Sequence, residues 1–197
     1  MRVIGITGGV GAGKSTILSY LEKNPSMKVV RTDETAHKLC EIGGSCYEPL
    51  IEILSRDVLT SDGTIDRKKM AARIFSDKNI LSRVNDLIHP AVKEYVLNDI
   101  EQEKNTGVYN WYFLEAALLI EEGYDKICDE LWYIYADQNV RRERLKASRG
   151  YSDEKIDSIM ASQSSDEVFR KYCAHTIDNS GSEEQSIREL RELLELG

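Results

Sequence analysis

Eight consecutive residues, Gly8-Gly9-Val10-Gly11-Ala12-Gly13-Lys14-Ser15, fit the pattern G-x-x-x-x-G-K-[ST]. Each residue type has a chemical reason to be there. Glycines let the backbone curl until successive N–H groups point at one anion. A helix starting just behind them adds the positive end of its dipole. Lys14 supplies a point charge for β- and γ-phosphate oxygens, the Ser15 hydroxyl is a ligand for Mg²⁺, and Thr16 stands one step further into the first turn. Gly9, Gly11, Ala12, Gly13, Lys14, Ser15 and Thr16 are therefore the candidate nucleotide contacts.

Such a loop does not by itself distinguish a kinase from a GTPase, a motor or an ATP sensor. Guanine selection uses an Asn-Lys-x-Asp segment after a later strand, and here that region reads Ala136-Asp137-Gln138-Asn139. Small-molecule kinases place an acidic residue after the second strand and arginines late in the chain. Both are present, as Asp33 and as the run Arg141, Arg142, Arg144, Lys146, Arg149. Asp33 is equally suited to N-cap a helix starting at Glu34, and a charge run is commonly a solvated helix face. In a chain carrying 26 Lys+Arg against 34 Asp+Glu, net charge −8, a local cluster of arginines is better read as a lid over a polyphosphate.

These residues need a scaffold. Arg2–Thr7, Met27–Arg31, Val108–Leu114, Glu130–Tyr135 and Thr176–Ile177 read as short strands. Helical stretches lie between them, at Lys14–Lys23, near Thr35–Glu41 and Tyr47–Leu54, after Asp66, and from about Asp77 to Asn105 with a bend near His89-Pro90. Gln138–Ala147, Ser152–Ser162 and the amphipathic Ser182–Leu196 complete the set. Short apolar strands alternating with helices predict an α/β fold with a parallel sheet covered on both faces. The strand-poor segment 33–105 is too long for one crossover and reads as a helical insertion.

The 197 residues suffice for one domain with a core and an insertion. The acidic balance argues against a general nucleic-acid binder, and the longest apolar run, Phe113–Ile120, is broken by Glu115 and too short for a membrane span. No signal-peptide pattern opens the chain, so a cytoplasmic protein is expected. Cys40, Cys46, Cys128 and Cys173 lack metal-site spacing and are expected to be reduced thiols.

The ordered motifs resemble the dephospho-coenzyme A kinase family. Ile4–Thr16 is similar to its I-G-L-T-G-G-I-G-S-G-K-S-T, and Thr32–His37 to A-D-x-I-A-H. Asp62–Arg67 is similar to D-G-x-L-D-R, Ile74–Asp77 to V-F-x-D, and Ile88–Val92 to I-H-P-x-V. Leu118, Leu119 and Glu121 resemble L-L-F-E, and Thr176–Gly181 resembles V-I-D-N-x-G. The resemblance implies a P-loop kinase with a five-stranded parallel sheet flanked by helices. It implies a core of residues 1–32, 106–135 and 164–197, a helical acceptor-binding insertion over 33–105 and a lid over 136–163.

The implied reaction is phosphoryl transfer from ATP, with Mg²⁺, to the ribose 3′-hydroxyl of dephospho-CoA. Asp33 would orient or deprotonate that hydroxyl, His37, Arg67 and His89 would shape the acceptor site, Asn179 would join the nucleotide site, and Arg141 and Arg144 would act with Lys14 on the phosphates. No nucleic-acid or membrane partner is implied, and a monomer or weak homo-oligomer is expected.

The chain departs from the family pattern in places. Arg31 stands where a first aspartate is common, and Glu115-Ala116-Ala117 replaces Asp-x-Pro. The lid segment R-L-x-x-R-D becomes Arg144-Leu145-Lys146-Ala147-Ser148-Arg149, and Ile159 replaces an arginine. A kinase for another nucleoside, nucleotide or small alcohol, or a catalytically silent nucleotide-binding regulator, are the alternatives.

Overall fold

A computed structural model describes residues 1–116 and 119–196, with the side chain of Leu196 excluded; Ala117 and Leu118 of the double-leucine motif lie outside the described residues. The chain divides into two compact units, Met1–Val29 with Thr106–Gly197, and Val30–Asn105.

Five strands, β1 (Arg2–Thr7), β2 (Met27–Arg31), β3 (Trp111–Glu115), β4 (Glu130–Tyr135) and β5 (His175–Asp178), form one sheet in the order β2-β3-β1-β4-β5. β1 runs parallel to β3 and β4, and β4 parallel to β5. This is the expected five-stranded parallel sheet flanked by helices. The first strand is central because it is apolar on both faces: Val3, Ile4 and Ile6 are fully buried. Ile4 opposes Phe113, and Ile6 opposes Trp132. On that face Trp111, Phe113 and Trp132 form an aromatic group with ring centroids about 6 Å apart, a favourable spacing for offset and edge contacts. Ile17, Leu18 and Leu21 of α1 (Lys14–Leu21) and Ile187 and Leu190 of α9 (Glu183–Leu196) join the same core. That core fixes the loop between β1 and α1 at both ends.

Three further helices belong to this unit: α6 (Gln138–Arg149), α7 (Asp153–Ala161) and α8 (Asp166–Tyr172). Asp137, Ser152 and Ser165 cap them by accepting from backbone N–H groups. The last was missed in the sequence, where its seven residues carry too few apolar positions to show a period. The strand expected over Val108–Leu114 begins instead at Trp111, the first buried residue of the run, and extends to Glu115.

The second unit holds α2 (Thr32–Leu39), α3 (Tyr47–Leu54), α4 (Arg67–Ser76) and α5 (Lys78–Thr106), which continues through Pro90. Leu50, Leu54, Val58, Ile80 and Val84 form its own core. The helix expected from Thr35 begins three residues earlier, directly on the end of β2.

Candidate active site

The Gly8–Ser15 loop joins β1 to α1, as its glycine pattern requires. Gly11 and Gly13 have φ of 82° and 88°, a left-handed backbone that side chains disfavour. Gly13 is also the N-cap of α1 and provides no side-chain cap, so the helix opens its N-terminal N–H groups directly at the end of the loop. The Lys14 ammonium reaches back to the Gly8 carbonyl at 2.8 Å. Ser15 is exposed on the first turn, Thr16 is half-buried, and Ala12 is buried in the core.

Three distant side chains converge on this loop. Arg141 Nε donates to the Val10 carbonyl at 2.9 Å, and its guanidinium lies so close to Gly9 that a Cβ there would clash. Arg144 Nη1 donates to the Ala12 carbonyl at 3.3 Å. Asn179 Nδ2 donates to the same carbonyl at 2.7 Å. Asn179 is itself buried, with its Oδ1 accepting from Ser186 Oγ at 2.8 Å.

The arginine run on α6 divides by helical spacing. Arg141, Arg144 and the buried Leu145 take one face. Arg142 and Lys146 take the other: Arg142 donates to Asp153 at 2.9 Å and to Asp157, and Lys146 pairs with Asp153 at 2.9 Å. Those bonds hold the Arg142 charge more firmly and push the Asp153 carboxyl below its ordinary range. Arg149, the last residue of the run, lies at the helix end against the Tyr151 ring, 5.8 Å from its centroid. The run therefore divides in its partners: Arg142 and Lys146 pair with carboxylates of α7, and Arg141 and Arg144 with carbonyls of the loop.

Two residues that pattern reading passed over complete the constellation. Gln163 Oε1 accepts from Val10 N–H at 3.1 Å and from Arg141 Nη2 at 2.8 Å. Within Ser162–Ser165 it has no periodicity to mark it. Ser186 is fully buried, four residues before Leu190 on the apolar stripe of α9. A serine on such a stripe needs a polar partner, and that was a readable signal.

In the second unit, Asp33 is exposed in the first turn of α2, whose N-cap is Arg31. Its N-cap role at Glu34 is thereby corrected: the helix starts before it. His37 and Arg67 are brought together, lining a cavity of about 440 Å³ with Cys40, Glu41, Ile42, Thr64, Ile65 and Met70. His89, half-buried on α5, is not among the lining residues.

The Asp62–Arg67 motif explains how Arg67 is presented. Asp62 accepts from the Thr60 and Thr64 hydroxyls and the Thr64 N–H, which holds its carboxyl down at about 2. Asp66 then caps α4 by accepting from the Lys68 and Lys69 N–H groups. Arg67 is the first residue of that helix, and its neighbour's carboxylate is engaged in the cap. Burial and the nearby Cys46 push the Cys40 thiol up to about 11.

A sequence profile described as dephospho-CoA kinase matches residues 2–185. The chain belongs to the dephospho-CoA kinase family. Its members include a dephospho-CoA kinase of Aquifex aeolicus, 33% identical over 196 residues covering 99% of this chain and 97% of the relative. That of Streptococcus agalactiae is 31% identical over 180 residues, 91% of each chain. The solved dephospho-CoA kinase of Campylobacter jejuni has the same fold, with TM-score 0.72 and 21% identity over 98% of each chain. Kinases of this family are ATP-dependent phosphotransferases, and their product places them in coenzyme A biosynthesis. Among the described residues no helix is long and apolar enough to cross a membrane.

Proposed function

We propose that this chain transfers the γ-phosphoryl group of ATP to the ribose 3′-hydroxyl of dephospho-CoA, giving coenzyme A and ADP, in the cytoplasm. The observation that carries the assignment of residues is the convergence of Arg141, Arg144 and Asn179 on the backbone of the Gly8–Ser15 loop. Little covalent work falls to the protein in phosphoryl transfer; positioning and charge stabilisation dominate.

The loop amides and the N-terminus of α1 cradle the β- and γ-phosphates, and Lys14 exchanges its Gly8 carbonyl for a phosphate oxygen. Arg141 and Arg144 face the charge that spreads over the transferring group. Both lie on α6 within the segment 136–163, which acts as the lid that excludes water. The exposed Ser15 hydroxyl is a hard oxygen donor of the kind Mg²⁺ takes alongside phosphate oxygens. When bound, Mg²⁺ supplies charge neutralisation at those oxygens.

The acceptor falls to the 33–105 segment. His37 and Arg67 offer a donor pair on the cavity wall, with apolar surface from Ile42, Ile65 and Met70. Asp33, on the helix that follows β2, holds the 3′-hydroxyl in line and takes its proton. His89 supports the acceptor site from α5, and Glu115, opposite Ile6 at the end of β3, takes the acidic place of the family's Asp-x-Pro.

The test is a transfer assay with ATP, Mg²⁺ and dephospho-CoA, with the product identified by mass. Asp33→Asn is expected to retain nucleotide binding and to lower turnover by about 10²-fold or more, the scale of a general base. Near-normal turnover of that variant removes Asp33 from the mechanism. Transfer to other alcohols but not to dephospho-CoA overturns the acceptor.

A further inference from the structure

We infer that Gln163 is a positioning residue that fixes Arg141 over the phosphate loop while leaving its positive charge uncancelled. Its Oε1 accepts from Arg141 Nη2 at 2.8 Å and from Val10 N–H at 3.1 Å, while Arg141 Nε donates to the Val10 carbonyl at 2.9 Å. Arg141, Val10 and Gln163 thus close a ring of three hydrogen bonds. Both backbone polar groups of Val10 are engaged in it. The ring sets the guanidinium plane with two of its five N–H donors, Nε–H and one on Nη2, and leaves the other three for an anion.

The choice of acceptor is what makes this a functional arrangement. Among the described residues Arg141 has no carboxylate partner, and both of its fixing acceptors are neutral. One position along the same helix, Arg142 is held by two carboxylates. A carboxylate is the stronger and shorter partner for a guanidinium, so a design for stability alone would place Glu at 163. It would also neutralise the cation at the spot where phosphate charge must be met. A glutamine oxygen holds the same geometry at no such cost. Gln163 lies just beyond α7, so the ring also ties that end of the lid segment to Val10.

This inference rests on the phosphate-facing role of Arg141 proposed above. Its test compares Gln163→Glu, Gln163→Ala and Arg141→Ala with the unaltered enzyme. Three quantities are measured: kcat and KM for ATP with Mg²⁺ and dephospho-CoA, ADP affinity by calorimetry, and the thermal midpoint. Gln163→Glu keeps the acceptor and is expected to melt at or above the parent temperature. Its kcat is expected to fall by about 10²-fold, and its ADP affinity to weaken about tenfold. Gln163→Ala leaves the charge and one fixing bond, and is expected to lose only about five- to tenfold in kcat.

In an Arg141→Ala background, Gln163→Ala is expected to change kcat less than twofold, because its effect passes through Arg141. A Gln163→Glu enzyme within threefold of the parent, or one less impaired than Gln163→Ala, overturns the inference, since a purely structural acceptor predicts that order. So does a full-sized Gln163→Ala effect in the Arg141→Ala background. If the unaltered chain binds ADP but does not phosphorylate dephospho-CoA, the proposed reaction fails. The ADP affinities of Gln163→Glu and Gln163→Ala then still decide the role of Gln163.

Discussion

Replacing Asn179 by leucine keeps the number and branching of the heavy atoms in a buried side chain, in bulkier form, and removes the polar ones, which tests what those atoms do for the phosphate loop. Two hydrogen bonds are lost, Nδ2 to the Ala12 carbonyl at 2.7 Å and Ser186 Oγ to Oδ1 at 2.8 Å. Their consequences differ. Ser186 Oγ retains the Asp178 carbonyl at 2.9 Å, so its donor remains satisfied. Among the described residues the Ala12 carbonyl then retains the longer bond from Arg144 at 3.3 Å. The expected cost is therefore that of one poorly satisfied buried acceptor, about 1–3 kcal/mol, and about 2 kcal/mol is the working figure. Ser186→Ala is expected to cost about 1 kcal/mol and to cost less in the Asn179→Leu background, where its partner is already gone. Urea unfolding reads both, with a lower midpoint and an unchanged slope. Ala12 is part of the loop and Asn179 packs against Gly13 at its left-handed φ of 88°. The loop should therefore lose order with the bond, raising KM for ATP about tenfold if ~1.4 kcal/mol of that cost falls on binding. An Asn179→Leu protein with the parent's urea midpoint and the parent's KM refutes the reasoning.

Two other predictions concern titration. Burial pushes the thiols of Cys40, Cys128 and Cys173 up to about 11, 12 and 12. At pH 8 their alkylation by iodoacetamide is expected to run about 10²-fold or more below that of a free cysteine of pKa about 8.5. The rate should rise about tenfold per pH unit; labelling of the folded protein at the free-cysteine rate contradicts this. The Asp66 carboxyl is held below its ordinary 3.8 chiefly by the Lys69 N–H and also by that of Lys68. The cap is thus fully present above that pH and lost as pH falls through the lowered value. The Lys68 and Lys69 amide shifts should titrate with a midpoint below 3.8, and a midpoint at or above it removes the cap.

The core elements were legible because their signals are local. The loop glycines, the apolar run of β1 and the stripe of α9 each announce a geometry within a dozen residues, and the strands β2 and β4 fell where their β-branched and aromatic residues stand. What could not be read was pairing across the chain. Nothing in Ser162-Gln163-Ser164 reveals that Gln163 meets Val10, because that contact depends on how α6 and α7 pack. Likewise the arginine run is uniform as text, and only the helix phase and the carboxylates of α7 separate Arg141 and Arg144 from Arg142. Asp33 shows the converse. A residue well suited to capping sits inside the first turn, because β2 feeds straight into α2 without a connecting loop.

The central place of β1 has a consequence for how the chain is made. Arg2 finds its β3 neighbour Trp111 more than a hundred residues later, and its other neighbour, β4, emerges later still. At synthesis rates of about 5–20 residues per second, the first strand and its glycine loop wait several seconds on the ribosome without partners. The Val30–Asn105 unit is continuous in the chain and has its own core, so it can collapse during that interval. The Gly8–Ser15 loop, translated well ahead of the strands that pair with β1, would then be among the last parts to acquire its shape. Slow codons placed between the second unit and β3 would lengthen its exposure to proteases and to aggregation.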